Sequence, residues 1–364
     1  MIVLHRKGLF SEYLAEHGIP HRVLPIRCRA SEMKRRNAAV ETLRTAPLLA
    51  GFLWRSHVDI VHTNETRTNS TWALPAGLTR TKFVWHLRTT HLARSPISVA
   101  QAAKANRILC VSRYIQETVP PQLKERSQVV YNPFDTRATP PDRALARSGL
   151  LRELGCAENS AIVGYFANFL ERKRPSLFVE AAARIAAALE RPSVFVMFGS
   201  DKSGIAPDLL ALARSHGISE HLKLMDFRWP VEPYMAACDV MLVPALDEPF
   251  GRTLVEATLV GTPLVAIRSG GHLEFIQDGR SGVLVAPDDV EAMAKGALRL
   301  LRDPQTARRM VSQGQKDARR MLSIETHSKQ ISSVYQEIMA NDPAAPGTGR
   351  GGGRGPDPAG RAAA

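Results

Sequence analysis

Cysteine is scarce and scattered: four residues, Cys28, Cys110, Cys156 and Cys238, with no C-x-x-C pair. That spacing offers neither a disulfide framework nor a zinc knuckle, and it suits a reducing compartment. Long apolar runs are also missing. None approaches the roughly 20 residues that cross a bilayer, and the N-terminus has no signal-peptide pattern. These absences point to a cytoplasmic chain, or to one resting peripherally on the inner face of a membrane.

What is present is ordinary in amount and unusual in distribution. The chain has 364 residues, 44% hydrophobic and 23% charged, enough for two soluble domains. Its formal net charge is +13, and residues 1–147 hold 23 Lys and Arg against 10 Asp and Glu. The remainder is balanced, 25 against 25. The halves should therefore meet different partners. A basic face attracts phosphates, an anionic membrane surface or nucleic acid. No nucleic-acid motif accompanies the charge, so no specific nucleic acid is expected.

From residue 161 onward, short apolar runs alternate with helical patterns. AIVGYFANF (161–169), SVFVMFG (193–199), LKLMDF (222–227), CDVMLVPA (238–245), PLVAI (263–267) and SGVLVA (281–286) read as strands. PSLFVEAAARIAAALE (175–190), APDLLALARSHG (206–217) and DDVEAMAKGALRLLRD (288–303) read as helices between them. Such alternation gives an α/β domain with a parallel sheet covered on both faces. The first part repeats the pattern more loosely, with strands at VDIVHTN (58–64), TKFVWHL (81–87), RILCVS (107–112) and SQVVYN (127–132). LFSEYLAEHG (9–18) reads as a helix. NPFDTRATPPDR (132–143) reads as the linker. The spacing predicts domains over 1–140 and 141–324, a helix at 325–340 crossing back to the first domain, and a disordered Pro/Gly/Arg tail at 341–364.

The informative stretch is PALDEPFGRTLVEA (244–257). A buried strand ends, the chain bends at Gly251, and a helix begins. Free N–H groups at a helix N-terminus form an anion site, as for a diphosphate. Two acids bracket the bend, Glu248 and Glu256. Acids beside a diphosphate are repelled, so the favourable arrangement points both at hydroxyl groups. Each charge-assisted bond there is worth about 1.5–3 kcal/mol. A ligand with hydroxyls at both ends and phosphates between is a nucleotide sugar.

E-P-F-G-x-x-x-x-E resembles the E-x7-E signature of retaining glycosyltransferases of family 4, which have the GT-B fold. YFANFLERKRPSLFVEA (165–181), HLKLMDFRWPVEPYMAACDVMLVPALDEPFG (221–251) and GTPLVAIRSGGHLEFIQDGRSGVLV (261–285) resemble further segments of that family in order. The resemblance implies two Rossmann-like domains facing across a cleft. It implies catalytic roles for Glu248 at the donor sugar, Lys173 at the diphosphate and His86 facing the sugar from the first domain. Donor contacts would come from Glu256 on the ribose, from Phe250, Gly251, Arg252, Thr253 and Leu254 around the phosphates, from Asn168, and from Phe227 and Arg228 near the base. The donor would be a UDP- or GDP-sugar and the acceptor a glycan or lipid-linked molecule, in polysaccharide or lipopolysaccharide biosynthesis. No cofactor or bound metal is implied, and the sequence has no D-x-D motif.

Two departures accompany the resemblance. Asn168 stands where many family members carry arginine, leaving Lys173 with Arg172 and Arg174 to balance phosphate charge. The chain also begins at what reads as the family's second strand, MIVLHRKG. The first domain is therefore expected to lack its opening strand–loop–helix. These departures keep an alternative open, a non-catalytic nucleotide-sugar-binding or partner subunit on the same fold. Arg88 and His91 are candidates to meet an acceptor, and the KRR cluster (34–36) to rest on anionic lipid.

Overall fold

The computed structural model describes residues 1–24, 26, 35–90 and 92–340. His91, the side chains of the 34–36 cluster and the tail at 341–364 lie outside what is described. The chain opens with β1 (Ile2–Leu4), α1 (Leu9–Glu16), β2 (His21–Val23) and α2 (Arg35–Arg55). It continues through β3 (Ile60–Thr63), α3 (Thr66–Thr79), β4 (Lys82–Leu87), α4 (Pro96–Ala102), β5 (Arg107–Cys110), α5 (Arg113–Glu117) and β6 (Ser127–Val129). Then come α6 (Arg143–Leu154), β7 (Ala161–Phe166), α7 (Pro175–Ala188), β8 (Ser193–Phe198), α8 (Ala206–Ser215), β9 (Leu222–Met225) and α9 (Glu232–Ala237). The last elements are β10 (Val240–Val243), α10 (Arg252–Leu259), β11 (Leu264–Ile267), α11 (His272–Phe275), β12 (Val283–Val285), α12 (Val290–Arg302), α13 (Pro304–Leu322) and α14 (Ile324–Ala340).

Among the described residues three parallel sheets form. The pair β1–β2 stands apart from the four strands β3-β4-β5-β6, and no strand bridges them. The second domain holds six strands in the order β12-β11-β10-β7-β8-β9. Its strands are apolar without alternation because both faces are covered. On β7, Val163 and Tyr165 pack with Phe178, Ile185 and Met293 on one side, while Ile162 and Phe166 enter the core on the other. Three of the helices start where aspartates accept first-turn N–H bonds. Asp142 caps α6, Asp289 caps α12 and Asp303 caps α13.

Strand order fixes where a ligand can sit. Sequence order runs outward from β7 in one direction through β8 and β9, and in the other from β10 through β11 and β12. The loops after β7 and β10 therefore part at the carboxyl edge, leaving a crevice at the switch point.

The polypeptide returns to the first domain through α14. Its Val334 and Ile338 pack on Val84, Leu109 and Val130 of the first sheet. Strand alternation puts Val84 and His86 on that same face, while Phe83, Trp85 and Leu87 face α3. His86 is consequently 1% exposed, and its ring stacks on His62 at 5.4 Å between centroids. This corrects the expectation that His86 looks out across the cleft. It lies inside the first domain, on the face that α14 covers.

Candidate active site

The site is built at the switch point. β10 ends at Val243, and the chain turns through Asp247 and Glu248 to Gly251, where α10 starts. Gly251 has φ 87°, which glycine adopts without penalty. A Cβ there would also lie 2.8 Å from Leu254 Cδ1 and 3.0 Å from His272 Cδ2. No side chain caps the helix; the Leu254 N–H closes on Gly251 O at 3.1 Å, and the N–H groups before it have no side-chain acceptor.

A second loop pins this turn from behind. Gly270 and Gly271 press against its backbone, and the Gly271 N–H donates to Glu248 O at 2.8 Å. His272, fully buried, donates Nδ1–H to Ile267 O at 3.0 Å and leaves Nε2 without a partner among the described residues.

From the β7 side come Arg172 and Lys173. Both reach Glu248 Oε1 at 2.5 Å. Burial alone would raise the Glu248 carboxyl, but the two cations outweigh it and hold the group below its usual range. Burial lowers the Lys173 pKa; Glu248 opposes this, and the charge of Arg172 adds to it. Lys173 thus shares one acid with Arg172, and the cluster carries a net positive charge. Arg174 turns away to pair with Asp288. Arg174 and Asp247, next to Lys173 and Glu248, both have left-handed backbone, at φ 52° and 49°. Strain of this kind concentrates at functional sites.

Other expected donor residues are placed differently. Glu256 is held by Arg252 at 3.1 Å, one turn away on α10. Burial raises its pKa, Arg252 opposes that, and Glu232 adds to it. The side chain of Phe250 is buried against Tyr131 and Phe134 of the first domain, leaving its backbone at the corner. Thr253 and Lys173 line one small cleft with Glu248, and Leu254 is wholly buried.

Asn168 sits in the loop after β7. Its Oδ1 accepts from the Ser200 N–H at 3.2 Å and ties the β7 and β8 loops together. Only the amide N–H₂ is left for a ligand. Phe227 and Arg228 follow β9, two strands from the switch point. Phe227 is exposed, and Arg228 pairs with Glu153 at 2.8 Å and lies over Tyr234.

The sequence reading gave no role to Glu274. Its carboxylate accepts from the Arg113 and Tyr114 N–H groups, each at 2.8 Å, and from Tyr131 Oη at 3.0 Å. Burial, then the charge of Glu274, pushes the Tyr131 phenol up to about 12. Tyr114 Oη donates to Asp247 at 3.0 Å, and Ser112 Oγ to Pro249 O. These bonds clasp the first domain against the glycine-bent corner. The one available signal was the Gly270–Gly271 pair, which marks close backbone approach but not what the next turn reaches.

Comparison with known proteins agrees with this geometry. Residues 150–317 match the family described as glycosyl transferases group 1. D-inositol 3-phosphate glycosyltransferase of Corynebacterium glutamicum (strain R) is 29% identical over 221 residues, 58% of this chain and 50% of that protein. Lipopolysaccharide core biosynthesis glycosyltransferase LpsE of Rhizobium meliloti (strain 1021) is 27% identical over 191 residues, 52% of this chain and 53% of that protein. The chain thus spans about half the length of the curated relatives it matches. Anabaena Alr3699/HepE, solved in complex with UDP-glucose, superposes with a TM-score of 0.75 at 24% identity, covering 92% of this chain and 91% of that one. Sucrose-phosphate synthase from Thermosynechococcus elongatus superposes with a TM-score of 0.74 at 18% identity, over 88% and 84%. The fold is GT-B, and the stretch that matches the group 1 glycosyl transferases lies in the second domain.

Proposed function

We propose that the protein is a retaining glycosyltransferase that moves a sugar from a UDP-sugar to a glycan or lipid-linked acceptor. The observation that carries this reading is the meeting of Lys173, Arg172 and Glu248 beside the open N-terminus of α10. The diphosphate would lie on the N–H groups of residues 251–254 and draw Lys173 and Arg172 to itself. That exchange frees Glu248 to accept hydroxyls of the sugar. Glu256 would leave Arg252 for the ribose diol. As the bond between the anomeric carbon and phosphate oxygen breaks, charge grows on the diphosphate, and Lys173 stabilises it where water is excluded. The donor base follows the UDP and UDP-glucose complexes of the Anabaena neighbour. The acceptor class follows relatives such as the lipopolysaccharide core enzyme. The basic first domain suits work at an anionic membrane surface.

Calorimetry with UDP tests the donor half. The native protein should bind UDP. Glu256→Gln should weaken binding by roughly 10- to 100-fold, the loss of one charge-assisted bond, with an unchanged melting temperature. Equal affinities for the two proteins would remove the ribose role. Binding without any release of UDP from UDP-sugars would favour the non-catalytic alternative.

A further inference from the structure

We propose that Arg88 and Arg252 hold an anionic group of the acceptor, a phosphate or a carboxylate, at the carboxyl edge of the first sheet. The inference rests on the donor reading above, because it assigns to the acceptor the anion that the donor corner does not use.

Arg88 follows β4 at the edge where parallel sheets receive ligands. Its side chain is braced, not neutralised. Nε and an NH2 nitrogen donate to Asn64 Oδ1 at 3.0 and 2.7 Å, and NH1 donates to Asn132 Oδ1. These are neutral oxygens, and among the described residues no carboxylate pairs with Arg88. A guanidinium has five N–H donors, so one on each terminal nitrogen is still available. A partly buried charge without a counter-ion is costly, and an incoming anion relieves that cost.

The surroundings supply more positive charge from Arg252, whose own partner is Glu256. Burial lowers the Arg88 pKa, and Arg252 lowers it further across the domain boundary. One three-residue stretch brings the two arginines together. Asn132 accepts from Arg88, while the Phe134 ring lies 4.6 Å beneath the Arg252 guanidinium. His62, beside His86, is driven to about 4, first by burial and then by Arg88. His86 and His327 are lowered too, with burial the largest cause and Arg88 among the rest. All three rings are neutral near pH 7, so they neither compete for an anion nor repel it. The diphosphate has Lys173, Arg172 and the α10 N–H groups in the second domain. Arg88 belongs to the first domain and is left for the other substrate.

The test uses the full chain saturated with UDP, which occupies the diphosphate corner, and titrates inorganic phosphate as the probe. Phosphate should bind the UDP-loaded native protein. Arg88→Gln should weaken that binding at least tenfold, and Arg88→Lys should restore part of it. UDP affinity and melting temperature serve as folding controls. Unchanged phosphate affinity in Arg88→Gln overturns the proposal, as does phosphate that displaces UDP. A second arm compares UDP-glucuronic acid with UDP-glucose. If Arg88→Gln weakens only the glucuronate, the anion belongs to the donor sugar and the acceptor assignment is overturned. Failure of UDP to bind the native protein sinks the donor reading instead, and phosphate titration without UDP still decides whether Arg88 binds anions.

Discussion

Glu248→Gln is expected to lower sugar transfer by on the order of 10²- to 10³-fold, as loss of a preorganised electrostatic contact does elsewhere. The substitution keeps the size of the side chain and removes its charge. Hydroxyls of the donor sugar lose a charged acceptor close to the reacting carbon. Lys173, only 17% exposed at its side chain, loses its carboxylate. The glutamine oxygen can still accept from it, so the stability loss is that of a charged acceptor replaced by a neutral one, about 1 kcal/mol. UDP affinity should change far less than turnover, because in the proposed complex Lys173 and the α10 N–H groups hold the diphosphate. The assay is release of UDP from a panel of UDP-sugars beside calorimetry with UDP. Native turnover in Glu248→Gln would contradict the role given to this acid.

Gly271→Ala should damage both the fold and the site. An alanine Cβ there would lie 2.5 Å from Phe250 Cα and 2.7 Å from Pro249 O. Both are backbone atoms, so the turn itself must move and carry Glu248 with it. Overpacking typically costs 1–3 kcal/mol, and the upper end applies where no side chain can give way. At roughly 2–4 °C per kcal/mol for a domain of this size, the melting temperature should fall by about 6–12 °C. Transfer should fall with it. Gly149→Ala is the contrast. Nothing lies within 4 Å of that position inside α6, and the exchange should stabilise the helix by about 0.5–1 kcal/mol. Thermal melts of the two variants separate a crowded glycine from a merely flexible one. Equal melting temperatures for the native protein and Gly271→Ala would refute the packing argument.

How much of this could be read beforehand depended on whether a residue's partners lie near it in the chain. The strands of the second domain were legible because burial on both faces leaves plain apolar runs, and β7, β8 and β11 fall inside the stretches read as strands. Helix α3 was not. Its residues 66–71 are polar and partly β-branched, and Pro75 sits inside it. Tertiary packing nonetheless buries Asn69, Ser70 and Thr71 between neighbouring elements, overriding propensity. Helix α2, with Pro47 in its interior, was missed for the same reason.

The site divides along the same line. The Gly251 corner is a local event, so its bend, its helix start and its two acids could be read from fourteen consecutive residues. The grip of Arg172 on Glu248 spans 76 positions, and the clasp of Glu274 on the first domain spans about 160. Neither follows from spacing. His86 was misplaced because strand alternation gives two opposite faces without saying which one the returning α14 will cover. That the Asn168 oxygen braces the adjacent loop was not legible either, because it is a contact between strands paired only in the folded sheet.

A structure of the protein with an intact UDP-sugar tests the central claim most directly. The diphosphate oxygens should lie about 3 Å from the N–H groups at the start of α10 and from Lys173, with Glu248 on a sugar hydroxyl and Glu256 on the ribose diol. A diphosphate bound elsewhere, with Glu248 still locked to Lys173 and Arg172, would contradict it.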